Sequence, residues 1–371
     1  MQRPEPRPGI QSISPYVPGK AKVAGTPVHK LSSNESALGP APSAIDALQD
    51  VAALQHRYPD GHAQVLRDKL SAVYDLPADQ LIIGAGSDEL LSLMIRCYSS
   101  PGDEVLMTRH GFSYYPIAAM AEGCVPVQAQ EDDLVADVDA LLAAVTAKTR
   151  LLFLANPNNP TGTLLPRDEI QRLRDELPSH IMLVLDGAYA EYRAEDDYDP
   201  GHGFVRDAAL SGFDNVIMTR TFSKIYGLGG LRVGWAFAPT SVIEILNRVR
   251  GPFNVSAPGI VSAAAALNDQ DFVQKNRAHN DEEMARLAQA LRGGGLHVRE
   301  TKANFILIDC GSDEKAAAFL QHCEDHYVLV RGLASSNLPT MVRVSIGDRT
   351  ANDAFLDAAL SFSASADDVL R

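Results

Sequence analysis

Four short stretches of this sequence set reactive side chains beside residues that turn the backbone sharply. The first, TFSKIYGLGGLRVGW (221–235), places Lys224 between small hydroxyl residues and Gly227, Gly229 and Gly230, with Arg232 further along. It follows the apolar run VIMTRTF, whereas most lysines sit on solvated faces. A lysine held there loses part of its hydration and can serve as an amine nucleophile toward a carbonyl. An isolated Ser-Lys pair reads more simply as a surface lysine, so the other stretches decide. In GAGSDE (84–89) the glycines let a ligand approach the backbone, and the helix that follows presents free N–H groups at its positive end. A phosphate fits that arrangement, although Asp88 and Glu89 are also ordinary first-turn acids. NPNNPTGT (156–163) is a rigid turn whose asparagines are held ready to donate hydrogen bonds. In LVLDGAY (183–189), Asp186 ends a run of pure hydrophobes, so its carboxylate faces desolvated surroundings and needs a cationic or N–H partner. A helix-capping aspartate has the same local look.

Together these loops offer a phosphate cradle, an aromatic ring (Phe112 or a neighbouring tyrosine), an asparagine, a buried aspartate, Tyr189 and a reactive lysine. Pyridoxal phosphate asks for this set. Its phosphate needs N–H donors and a cation, its ring stacking and a carboxylate at the nitrogen, its phenolic oxygen donors, and its aldehyde an amine.

The elements that must position these loops are legible as alternating patterns. LIIGAG (81–86), EVLMT (104–108), LLFLA (151–155), IMLVLD (181–186), NVIMTR (215–220) and VGWAFA (233–238) are short apolar runs of the kind buried on both faces of a parallel sheet. Helical periodicity appears at 44–55, 64–74, 88–98 and 167–176. This alternation predicts an α/β domain over 41–250 with a largely parallel sheet whose strand ends carry the loops. Residues 1–40, rich in Pro, Gly and Ser, read as an extended arm. Beyond Gly251-Pro252 the pattern becomes a long helical tract from 259 to 291, then strands at FILIDC (305–310), VLVR (328–331) and MVRVSIG (341–347), with a helix from Glu314. That predicts a smaller α+β domain over 251–371, ending in a frayed tail, SFSASADDVLR.

Composition narrows the partners. Of 371 residues, 46% are hydrophobic and 22% charged, which is ordinary for a globular chain. Lysine and arginine total 33 against 47 acids, a formal charge of -14, which argues against nucleic-acid or anionic-membrane binding. Cys97, Cys124, Cys310 and Cys323 have no CxxC spacing and no histidine at zinc spacing, so they read as reduced thiols and no metal is expected. MQRPEPRPGI lacks the apolar core of a signal peptide, and no run approaches the length of a membrane helix. The expected setting is the cytoplasm.

Taken in order, SPYVPGK, KLSSNESALGP, RYPDGH, GAGSDELL, NPNNPTGT, TFSKIYGLGGLRVGW, PFNVS, VLVRGL and LPTMVRVSIG cover nearly the whole chain. They resemble the fold-type I pyridoxal-phosphate aminotransferases, and within them the histidinol-phosphate aminotransferases. The resemblance implies a large domain built on a mostly parallel seven-stranded sheet plus a smaller α+β domain. It also implies roles. Lys224 carries the cofactor and shuttles the α-proton, Asp186 pairs with the ring nitrogen, and Asn159 and Tyr189 bond the phenolic oxygen. Phe112 stacks on the ring, and Ser87, Asp88, Thr221, Ser223 and Arg232 hold the phosphate. Tyr58 reaches the neighbouring subunit's cofactor, which implies a homodimer. Tyr16 and Arg331 grip a substrate phosphate and Arg343 a carboxylate. The implied reaction converts L-histidinol phosphate and 2-oxoglutarate to imidazole acetol phosphate and L-glutamate. An aromatic amino-acid aminotransferase, a phosphoamino-acid decarboxylase and the ligand-sensing module of a transcription regulator share the scaffold. The chain departs from the family pattern at RHGFSYY (109–115), which lacks the usual proline, at Gly187, where many relatives carry Glu, and at Ala85, where an asparagine is often seen.

Overall fold

The computed structural model describes residues 4–20, 28–194 and 198–368. Its centre is a seven-stranded sheet in the order Leu81–Gly84, Gly234–Phe237, Val216–Thr221, Met182–Asp186, Thr149–Ala155, Glu104–Thr108 and Val125–Ala129. Every apolar run named above supplies one of these strands. Those at Leu81–Gly84, Met182–Asp186 and Val216–Thr221 are buried along their whole length. Each fully buried Leu or Ile there stabilises the sheet by about 2 kcal/mol. Gly234–Phe237 runs antiparallel to both neighbours, unlike the other pairs. A central strand covered on both faces is apolar throughout whichever way it runs, so direction was not legible in VGWAFA. Helices Ser87–Tyr98, Tyr114–Ala121 and Thr240–Val249 cover one face. Helices Gln64–Tyr74, Arg167–Glu176 and His202–Leu210 cover the other.

The tract expected to run from 259 to 291 is two helices, Ala257–Asn268 and Gln270–Gly293. Asp269 divides them, its carboxylate accepting from the Phe272 amide at 3.1 Å and so capping the second helix. The first, expected in the smaller domain, instead packs on helices Pro42–Asp50 and Gln64–Tyr74 and shares the core of the large sheet. The second crosses between cores. Val273 lies in the core of the large sheet, whereas Met284, Leu287 and Leu291 lie in that of the small one.

The smaller sheet is antiparallel, in the order His297–Arg299, Phe305–Asp309, Leu338–Ser345 and Arg331–Leu333. Its pleat divides the side chains by parity. Ile306, Ile308, Val342 and Val344 enter the small core, while Phe305, Leu307 and Met341 turn toward the large sheet. Arg343 and Ser345 share the parity of Met341 and therefore face the junction. From the arm, His29–Lys30 pairs in parallel with Val328–Leu329. The final helix, Arg349–Asp368, runs through most of the expected tail, whose residues 369–371 lie outside the described residues.

Candidate active site

The carboxyl ends of the strands meet the small sheet and the arm around one cavity, and thirteen of the fourteen side chains singled out from sequence line it. At the floor, strand Leu81–Gly84 turns through Gly86 (φ 82°) into helix Ser87–Tyr98. A Cβ on Gly86 would lie 2.4 Å from Arg232 Nη2, and one on Gly234 would lie 2.3 Å from the Ser87 nitrogen. Glycine at these two points lets the guanidinium and the helix start come together. Arg232 donates to Asp88 Oδ2 at 3.0 Å, and to Ser223 Oγ and the Gly229 carbonyl at 3.1 Å each. First-turn N–H groups, hydroxyls at Thr221 and Ser223 and a fixed cation make an anion site.

Asp186 is 5% exposed at the end of its strand. It accepts from the Tyr115 hydroxyl at 2.7 Å, the Ala188 amide at 3.2 Å and the Thr219 hydroxyl at 3.3 Å. Burial raises its carboxyl above the usual range, against the pull of the Tyr115 hydrogen bond. Burial also pushes the Tyr115 phenol well above its ordinary value, so it stays a donor at neutral pH. Phe112 lines the cavity and meets Tyr115 edge-on, centroids 5.6 Å apart. Behind the Asp186 turn, Gly187 backs onto the buried Arg220, which donates to the buried Glu191 at 2.9 Å.

Lys224 Nζ donates to the Ser33 carbonyl at 3.4 Å and lies 5.6 Å from the centroid of the Tyr189 ring. Tyr189 is 2% exposed, and its oxygen receives Asn34 Nδ2 at 2.8 Å. Asn159 accepts from Arg343 Nη1.

At the opposite end, Arg331 and Arg343 are directly paired across neighbouring antiparallel strands, which puts them on the same face. Arg343 is buried, lies over the Phe305 ring at 5.4 Å and donates to the Ser32 carbonyl at 3.1 Å. Burial lowers its pKa from the ordinary arginine value. Among the described residues its Nε is buried without a hydrogen-bond partner. Arg331 donates to the Val17 carbonyl at 2.8 Å, which brings the arm and the exposed Tyr16 to the cavity mouth.

Tyr58 is the exception. It is 83% exposed and stacks on Phe253 at 4.7 Å, outside the cavity of its own chain. The sequence reading missed Tyr115, Ser33 and Asn34. Tyr115 stands in the stretch RHGFSYY already singled out, but its partner Asp186 is 71 residues away and no local signal joins them. Ser33 and Asn34 reach the site from the arm, and no local signal announces such a contact.

A family model described as aminotransferase class I and II matches residues 26–358, and the chain belongs to that family. It is 47% identical over 362 residues to a histidinol-phosphate aminotransferase of Ruegeria sp. (strain TM1040), covering 97% of this chain and 98% of the relative. The figure is 49% for the enzyme of that name from Ruegeria pomeroyi, covering 96% and 97%. The crystal structure of histidinol-phosphate aminotransferase from Sinorhizobium meliloti in complex with pyridoxal-5'-phosphate superposes with a TM-score of 0.89 at 29% identity, covering 97% of this chain and 98% of that one.

Proposed function

We propose that this chain is a pyridoxal-phosphate-dependent transaminase of histidine biosynthesis. It moves the amino group of L-histidinol phosphate to 2-oxoglutarate, giving imidazole acetol phosphate and L-glutamate. The carrying observation is the facing pair Arg331 and Arg343 on the wall of the cavity that Lys224 also lines. Two guanidinium groups directly opposite on adjacent strands repel unless an anion lies between or beside them. A phosphate or carboxylate on the substrate meets that need.

The residues at the other end fit the cofactor. The donors to Asp186 are the Tyr115 and Thr219 hydroxyls and the Ala188 amide, all neutral, so a pyridinium N–H supplies the cationic partner that a buried carboxylate wants. Ser87 and Asp88 amides, Thr221, Ser223 and Arg232 would hold the phosphate, Phe112 would cover the ring, and Asn159 and Tyr189 would donate to the phenolic oxygen. When bound, pyridoxal phosphate supplies an aldehyde for condensation with amines and a ring that accepts the electron pair released at the substrate Cα. Lys224 would anchor it through its amine and would be the base that takes the proton from the substrate Cα. Asp186 keeps the ring nitrogen protonated, so charge developing in the ring is stabilised without reorganisation. Arg343, by engaging Asn159 Oδ1, leaves the amide's N–H groups for the cofactor side. Arg331 and Tyr16 would grip the substrate phosphate, and Arg343 the carboxylate of glutamate in the second half-reaction.

A homodimer and a cytoplasmic setting belong to the same proposal. The exposed Tyr58 is free to reach a neighbouring subunit, and all four cysteines are free thiols. Among the described residues no helix is long and apolar enough to cross a membrane.

The test offers histidinol phosphate, phenylalanine and phosphothreonine separately to the yellow protein and follows its visible absorption. Rapid bleaching by histidinol phosphate alone supports the proposal. Comparable bleaching by phenylalanine makes it an aromatic aminotransferase, and release of carbon dioxide makes it a decarboxylase.

A further inference from the structure

Asn34 is a polar residue of the arm, 1% exposed and held in the left-handed region at φ 55°. Its side chain lies between Tyr189 and Ser345, three residues that neighbour one another only in the fold. Of the two orientations of the amide, one gives the Ser345 hydroxyl hydrogen an acceptor among the described residues. The main-chain N–H of Asn34 lies 2.7 Å from Ser345 Oγ, and a backbone N–H can only donate. Ser345 Oγ accepts there, and in this orientation its own hydrogen is donated to Asn34 Oδ1 at 3.0 Å. The flipped amide would leave that hydrogen without a partner. The remaining end is Nδ2, 2.8 Å from the Tyr189 oxygen, and an amide N–H2 can only donate. The Tyr189 oxygen thus accepts from Asn34, and its one hydrogen is turned to the cavity that Tyr189 lines.

From this we infer that Asn34, oriented by Ser345, is a positioning residue that aims the Tyr189 hydroxyl hydrogen at the phenolic oxygen of the bound cofactor. The inference rests on the cofactor reading above. The backbone of Asn34 is itself held, since its carbonyl accepts from Asn304 Nδ2 at 3.1 Å, so the start of the relay is a fixed point. Lys224, Arg343, Tyr115 and Tyr192 are the charged or titratable neighbours of Tyr189. None of the four is hydrogen-bonded to Asn34.

The experiment titrates the visible absorption band of the pyridoxal-phosphate holoenzyme with pH, in the absence of substrate. Donation to the phenolic oxygen favours its charged form, so loss of that donation raises the pH at which the band titrates. Asn34→Asp keeps the size and the left-handed backbone but replaces the donor by an acceptor, which draws the Tyr189 hydrogen away from the cavity. Its band should titrate about one pH unit higher, the effect of one hydrogen bond to a charged oxygen. Tyr189→Phe should give a similar rise, and the double variant should rise no further than Tyr189→Phe alone. Asn34→Gly, which also accepts positive φ, should shift in the same direction by less, and it serves if Asn34→Asp folds poorly. An Asn34→Asp band titrating at the unsubstituted pH overturns the relay. So do single shifts that simply add in the double variant, because a merely structural role for Asn34 would act independently of the Tyr189 hydroxyl. Absence of any visible band in the unsubstituted protein supplied with pyridoxal phosphate would instead overturn the cofactor reading, a result distinct from an unmoved band.

Discussion

The two ends of the cavity are built in opposite ways. At the lysine end most of the parts stand at or just beyond the ends of the large sheet's strands, as with Arg232 and Ser223, although Lys224 itself bonds the Ser33 carbonyl of the arm. At the arginine end the contacts join segments more than 300 residues apart. Val17 meets Arg331, Ser32 meets Arg343, and Asn34 meets Ser345. The first end is set by local turn chemistry and one deeply buried sheet. The second depends on how the arm and the small sheet are packed, and it meets the first through Arg343 on Asn159 and Asn34 on Tyr189.

Substitutions at the two ends should therefore fail differently. Lys224→Ala should have the largest effect, lowering kcat by ~10⁴ or more and abolishing the visible absorption band, as steady-state rates and spectra will show. Retention of the band would remove Lys224 from its assigned place. Asp186→Asn keeps the shape but not the charge. It should cost about 10²–10³ in kcat with a modest change in KM. Arg331→Met should act on KM instead, raising it about 10- to 100-fold for histidinol phosphate while leaving the half-reaction with a non-phosphorylated amino acid nearly unchanged. Equal losses for both substrates would erase the contrast between the two ends.

The smallest effect concerns stability. Glu283 is buried on the helix that joins the cores, and it bonds Arg286 at 2.6 Å, Arg349 at 2.7 Å and Asn352 at 2.7 Å. Burial alone would raise its carboxyl, but the Arg286 and Asn352 hydrogen bonds with the arginine charges outweigh it and bring the pKa from 4.5 down to about 2. A depressed carboxylate contributes stability that is fully present above its unfolded pKa and is lost as pH falls through its folded value. Arg349 is half-exposed, and screening there trims the contribution to about 2 kcal/mol. Between pH 4.5 and about 2 the protein should lose that amount through this group, and Glu283→Gln should remove this part of the slope. Urea unfolding at a series of pH values checks both, and an unchanged slope in Glu283→Gln would rule the group out.

The lysine end was largely legible in the sequence because its information is local. Each strand is a run of apolar residues, and Asp186 ends one, Asn159 and Lys224 lie in the loops that follow two others, and Ser87 opens the helix after a fourth. The edge strand Val125–Ala129 escaped notice because it is partly exposed and contains Pro126, which breaks both the apolar run and the strand pattern. The last helix continues into SFSASADD, where Ser and Ala give no helical apolar stripe. Placing helix Ala257–Asn268 against the large sheet required knowing its neighbours. Its run of small residues fits closely on two other helices but carries no mark of which domain it joins. Asn34 was out of reach for the same reason, since its role depends on Ser345, and strand register decides which arm residue that serine meets.

Helix Gln270–Gly293 turns the relation between the two ends into a matter of leverage. Its 24 residues make a rod about 36 Å long, seated at one end in the large core and at the other in the small one. Pivoting such a rod by only about 5° about its Asp269 end carries the far tip through roughly 3 Å, the length of one hydrogen bond. The placement of the small sheet, and with it the arginine pair, relative to the lysine loop therefore rests on how this one rod is seated in both cores.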